Sequence, residues 1–90
     1  MNKRKLFARI VANQKNVNYH DFITLLNAFG FSQRRNRGSH SIFKHKQVPI
    51  NVNAQNENGE AKPYQIVQFL SLVEQYDLKM DGEEEEPKNE

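Results

Sequence analysis

The strongest constraint on this chain is a change of period. Phe22, Leu25, Leu26 and Phe29 fall at i, i+3, i+4 and i+7, one face of a helix with 3.6 residues per turn. Gly30 ends that face at the position that favours a left-handed backbone. From Val48 the period is two instead. Val48, Ile50, Val52 and Ala54 share one face, and Asn51, Asn53 and Gln55 share the other. Helical spacing returns with Ile66, Phe69, Leu70 and Val73. Two one-faced helices and a one-faced strand must bury their apolar sides against one another. Phe22, Leu25, Leu26, Phe29, Ile66, Phe69 and Leu70 are the predicted core.

The remaining elements follow in order. Lys3 to Ala12 has a modest apolar stripe (Leu6, Phe7, Ile10 and Val11) and reads as a short helix, broken by the asparagine-rich run Asn13 to Asn18. Asn18 is placed to cap a helix over Tyr19 to Phe29, with Asp21 near its positive end. Phe31 to Arg37 reads as a strand. Gly38-Ser39 is a turn in which glycine supplies a positive φ. His40 to His45 is a second strand, Lys46-Gln47 turns the chain, and Val48 to Gln55 is a third, with Pro49 near its start. Asn56 to Gly59 reads as a loop. Pro63 opens a closing helix that ends near Leu78. The predicted fold is α+β: α-β-β-β-α, a three-stranded antiparallel sheet with helices on one face and an extra short N-terminal helix. Double-stranded-RNA-binding domains share this order. The other sheet face, carrying Asn51, Asn53 and Gln55, is left open to solvent.

Charge is distributed unevenly along the 90 residues. The segment 81–90 holds Asp81, five glutamates and one lysine, a net of −5. The whole chain is +2, which leaves +7 on residues 1–80. We therefore expect one basic domain over 1–80 and a disordered acidic tail over 81–90. A small basic domain points to a polyanionic partner, most often nucleic acid. The run Glu83 to Glu86 reads first as a solvated tail, and the sharper hypothesis, from its sign, is that it competes with RNA for the basic face.

Other classes are excluded or left without support. There is no cysteine, which rules out disulfides, thiolate nucleophiles and cysteine-based zinc sites. His20 lies on a helix and His40 and His45 at the two ends of one strand, without ligand-like spacing, so no metal site is expected, and no cofactor box is visible. No apolar run approaches the roughly 20 residues of a membrane span. No secretory signal pattern is visible, and a cytoplasmic, membrane-free protein is expected.

The chemistry concentrates in one hairpin. Arg34, Arg35, Arg37, Lys44 and Lys46 place five cations within thirteen residues, around Gly38-Ser39-His40. Arginines hold phosphate through planar, bidentate hydrogen bonds. Histidine is the side chain best suited to exchange a proton near neutral pH. Strand parity puts Arg35 and Arg37 on one face and Arg34 on the other, while Lys44 and Lys46 share the parity of His40. Ser39 could donate to a phosphate oxygen or serve the turn locally. His45 is the obvious helper for His40, but an offset of five puts it on the opposite face of an ideal strand unless a bulge intervenes. His20 reads as exposed and unrelated. Lys62 could add charge at the start of the closing helix. The plain alternative for each is a solvated basic strand with an inert histidine at its turn.

Gly30-Phe31, then Arg34 or Arg35, Gly38-Ser39-His40, the third strand, Gly59 and the closing helix together resemble the HicA family, over about Val17 to Leu78. These are the toxins of HicA/HicB toxin–antitoxin systems. The resemblance implies a fold like that of double-stranded-RNA-binding domains and ribosome-independent cleavage of mRNA. It implies that His40 is the catalytic residue and that a HicB-like antitoxin covers the site. Met1 to Asn16 and the opening Ala61-Lys62-Pro63-Tyr64-Gln65 depart from compact members and fit a longer subfamily. The expectation is a metal-independent endoribonuclease without cofactor, monomeric when free. Arg34, Arg35, Arg37, Ser39, Lys44 and Lys46 would bind RNA. The alternatives are a non-catalytic domain for double-stranded or structured RNA that uses the same hairpin, and a degenerate protein that only binds its antitoxin.

Overall fold

A computed structural model describes residues 2–80 of the chain. The elements are α1 (Lys3–Ala12), α2 (Tyr19–Ala28), β1 (Ser32–Arg37), β2 (His40–His45), β3 (Val48–Glu57), β4 (Glu60–Ala61) and α3 (Pro63–Gln75). The acidic tail expected over 81–90 lies outside the described residues. The sheet is antiparallel in the order β1-β2-β3-β4.

Each helix starts and stops where local chemistry dictates. The Asn2 side chain accepts from the Lys5 amide, and Asn18 Oδ1 accepts from the amides of His20 and Asp21. Two amides of the kind left unpaired at a helix start are thereby satisfied in α2. At the far end of α2, the Phe31 amide donates to the Leu26 carbonyl and the Gly30 amide to that of Asn27. Gly30 carries φ +94°, so α2 ends in a Schellman turn. In α3, the same pair of bonds runs from Leu78 to Val73 and from Asp77 to Glu74, with Asp77 at φ +53°.

The helices cover one sheet face. Phe22, Leu25 and Leu26 of α2, Ile66 and Phe69 of α3, and Val52 and Ala54 of β3 are sealed from solvent. Phe69 is the centre of an aromatic cluster. Its ring meets Phe22, Phe29 and Phe31 edge-on, at centroid distances of 5.7, 5.6 and 6.0 Å. Leu70 is half-buried at the margin of this core. The first helix lies against α2 through Leu6 and Ile10, with Phe7 on Phe29 at 4.9 Å.

Two features differ from the expectation. The segment Asn56 to Gly59 is a two-residue hairpin rather than an open loop. Asn58 and Gly59 both have positive φ, the signature of a type I′ turn, and Glu60–Ala61 returns as β4. Backbone bonds from Ala61 to Val17 and from Tyr19 to Gly59 then clip the start of α2 to that hairpin. The second feature is Ile50, expected on the same face as Val48, Val52 and Ala54 and in fact 45% exposed. Phe43 pairs with Val52 and His45 with Val48, so Lys44 alone faces Pro49, Ile50 and Asn51. Proline offers the ladder no N–H, and the extra residues take Ile50 out of step with the buried face.

Gly30 is held from two directions. Its backbone is left-handed, and a Cβ added there would lie 2.9 Å from Nε2 of His45. That ring cannot swing aside freely. It packs on Phe31 at 5.1 Å, and its Nδ1 accepts from the Gln47 amide. Gly59 has a similar φ of +87° but open space around it. Gly30→Ala is therefore expected to cost about 2–4 kcal/mol, combining left-handed strain with overpacking. Gly59→Ala should cost about 1 kcal/mol, from strain alone. Urea denaturation of the two variants checks the difference, and equal costs would refute the role of His45.

Candidate nucleic-acid interface

The helices occupy one side of the sheet, so the side chains of the other side face solvent. On β2 the buried residues are Ser41 and Phe43, and the open-face residues are His40, Ile42 and Lys44. Cross-strand partners share a face. The register therefore sets two rows across the open side. Arg37, His40 and Gln55 form one row, and Arg35, Ile42 and Asn53 form the next. Arg35, Arg37, His40, Ile42 and Asn53 line a hollow of about 400 Å³.

A bulge in β1 sorts the arginines. Gln33 pairs with Phe43 and Arg35 with Ile42, which leaves Arg34 as the extra residue. Ideal parity sets Arg34 apart from Arg35 and Arg37, and Arg34 lines a second hollow, of about 200 Å³, together with Lys44 and Lys46. The basic residues thus form two groups along the hairpin. Between His40 and Lys44 the spacing along β2 is roughly 13 Å, at about 3.3 Å per residue.

These cations are unengaged. Among the described residues, Arg9 pairs with Asp21, Lys62 with Glu57 and Lys79 with Asp77. Arg34, Arg35, Arg37, Lys44 and Lys46 have no carboxylate partner among the described residues, and every one is exposed. Lys62 is thus tied to Glu57 at the N-cap of α3. His20 is exposed on α2, in edge contact with Tyr19.

His40 is held by its backbone. The Gly38-Ser39 turn, with Gly38 at φ +59°, closes the Arg37–His40 pair. The Asn56 amide donates to the Ser39 carbonyl at 2.9 Å. Beneath the neighbouring Ser41, the Tyr19 hydroxyl meets Ser41 Oγ at 3.3 Å. Successive strand amides point to opposite sides, so the Gln55 amide faces away from β2. The fourth strand has already ended, its Ala61 pairing with Asn56. Gln65 of α3, itself buried, supplies the missing acceptor, its Oε1 lying 2.8 Å from the Gln55 amide. His45, in contrast, sits at the other end of β2 against Phe31 and Gly30. The structure does not bring the two histidines together.

Ile42 and Asn53 are the site residues that sequence reasoning does not select. The signal is present: Ile42 shares the parity of His40, and the alternation of β3 places Asn53 on the open face. Their pairing across β2 and β3 needs the register. Among the described residues, no three His, Asp or Glu side chains are grouped to hold a metal ion. No described helix is long and apolar enough to cross a membrane.

Fold and site together define a small α+β domain with one covered sheet face and one open, basic face of the kind that suits a polyanion. Residues 19–74 match the family model described as HicA toxin of bacterial toxin–antitoxin, and the chain belongs to that family. Membership makes it the toxin of a toxin–antitoxin pair, with an antitoxin as its partner. No curated protein sequence and no solved structure matches the chain.

The Gln65 bond is testable. Gln65→Leu leaves the Gln55 amide without an acceptor and should cost about 1–3 kcal/mol. Gln65→Glu keeps an oxygen there and should cost less. Denaturant titration of both variants, with amide exchange at Gln55, distinguishes this bond from simple packing.

Proposed function

We propose that this toxin is a metal-independent endoribonuclease that cleaves mRNA, with His40 as its proton-transfer residue and the basic hairpin as its RNA-holding surface. The observation that carries the reading is the row Arg37–His40–Gln55 beside Arg35. An imidazole and two unpaired guanidinium groups share one open hollow. RNA brings its own nucleophile, the 2′-OH. An imidazole can remove that proton or protonate the departing 5′ oxygen. Arg35 and Arg37 would hold the non-bridging phosphate oxygens and offset charge as it builds on them. Arg34, Lys44 and Lys46 would hold a phosphate farther along the strand, positioning RNA without reading its sequence. Ser39, in the turn beside His40, could add a hydroxyl to the first phosphate. A HicB-like antitoxin would silence the toxin by covering the same face.

The test is induction of wild type and His40→Ala in a host without antitoxin, paired with cleavage of RNA by the purified proteins in EDTA. Wild type should arrest growth and degrade mRNA. His40→Ala should lose about 10²–10⁴-fold in cleavage, typical for a lost acid–base group, and still bind RNA. His40 is exposed, so its stability should change by no more than about 0.5 kcal/mol. Cleavage by His40→Ala at the wild-type rate would refute the assignment. Binding without cleavage by wild type would favour a non-catalytic RNA-binding domain. In the same assay, Arg34→Gln with Lys44→Gln should flatten the salt dependence of RNA binding, by a slope of about 0.7 for each phosphate that is no longer neutralised.

A further inference from the structure

The hollow beside His40 contains two residues that phosphate chemistry does not require. Ile42 is a half-buried aliphatic side chain between the polar His40 and Lys44. Asn53 is its direct partner on β3, and Arg35 is its partner on β1. The Asn53 side-chain amide makes no hydrogen bond to any described residue, so its donor and acceptor are both available. Its backbone is nonetheless firmly placed, because Val52 and Ala54 on either side are sealed in the core. A half-buried aliphatic side chain beside an unengaged amide on a firmly placed backbone is poor at holding phosphate. It suits the face and the edge of a nucleobase.

We infer that Ile42 and Asn53 form a nucleobase subsite, in which the base lies on Ile42 and Asn53 reads its edge. This rests on the RNA reading above and deepens it. The neighbouring rows then have separate roles. Arg37 and His40 face the phosphate at the scissile bond. Arg35 reaches the same phosphate from the row of the nucleotide whose base sits between Ile42 and Asn53. Only an unpaired, unstacked base can lie in this way, so the substrate at this point is single-stranded. Asn53 is a specificity residue. An asparagine amide presents one donor and one acceptor side by side and can bond a base edge in a bidentate manner.

The test uses wild-type protein and 2′-O-methyl hexanucleotides, which bind without being cleaved. Four homopolymers and one oligomer with abasic positions are titrated at fixed low salt. Wild type should rank the four bases with a spread of about fivefold or more, the scale of one bidentate contact. Asn53→Ala should compress that spread to about twofold or less, while Arg35→Gln weakens all four alike. Asn53→Asp, which offers acceptors only, should shift the ranking toward the amino-bearing bases, guanine above all, and against uracil. The abasic oligomer should bind wild type more weakly than the preferred homopolymer. An unchanged ranking in Asn53→Ala, or an abasic oligomer that binds equally well, would overturn the subsite and leave the nuclease reading intact. No binding of any oligomer by wild type would overturn both. The readout is binding, so a toxin that binds but does not cleave would still decide the inference.

Discussion

The packing of Phe69 against Phe22, Phe29 and Phe31 governs the layout of the molecule. One ring from the closing helix meets two from the central helix and one from the residue that leads into the sheet. Edge-to-face contacts of this kind add to the burial of large rings and fix their relative angles. With both helices committed to one side of a small sheet, nothing in the described chain is left to cover the other. The open basic face follows from this economy of core, in a sequence only 37% hydrophobic.

The strand that carries the arginines contributes nothing to that core. Every residue of β1 is exposed, and its place is set by the ladder to β2. Irregular pairing then sorts the charges. Arg34, the bulged residue, lies apart from Arg35 and Arg37 and groups with Lys44 and Lys46. A regular hairpin would have spread these charges over both faces. Bulges often re-aim side chains beside functional sites, and this one divides the cations between two hollows.

The support of His40 comes from beneath and from the flank. Ser39, Ser41 and Gln55 are tied by Asn56, Tyr19 and Gln65, so three elements converge on one short stretch of backbone while the imidazole stays free. Gln65 substitutes for a strand where β4 is too short to supply one. The two histidines of the hairpin have divergent surroundings. His45 shields Gly30 and packs on Phe31, a structural placement, whereas His40 faces the arginines.

Much of this is legible in the residues. Periodicity locates all three helices and β3, because each buries a single face, whereas β1 and β2 are marked by the turn residues that bound them. Asn18, Gly30, Gly38 and Pro63 mark boundaries through local backbone chemistry that needs no tertiary partner. The family is legible in the run from Gly30 to His40. The Asn58-Gly59 turn is also legible as a hairpin signal, though β4 is so short that pairing, not pattern, defines it. What the tertiary structure decides is register. Parity assumes a regular strand, and both the bulge at Arg34 and the irregular pairing around Lys44 break that assumption, leaving Arg34 as the extra residue of β1 and exposing Ile50. Which residues face one another across strands depends on pairings distant in sequence. The juxtaposition of Arg35, Ile42 and Asn53 beside His40, and the reach of Gln65 to Gln55, exist only once the sheet is paired and the helices are packed against it.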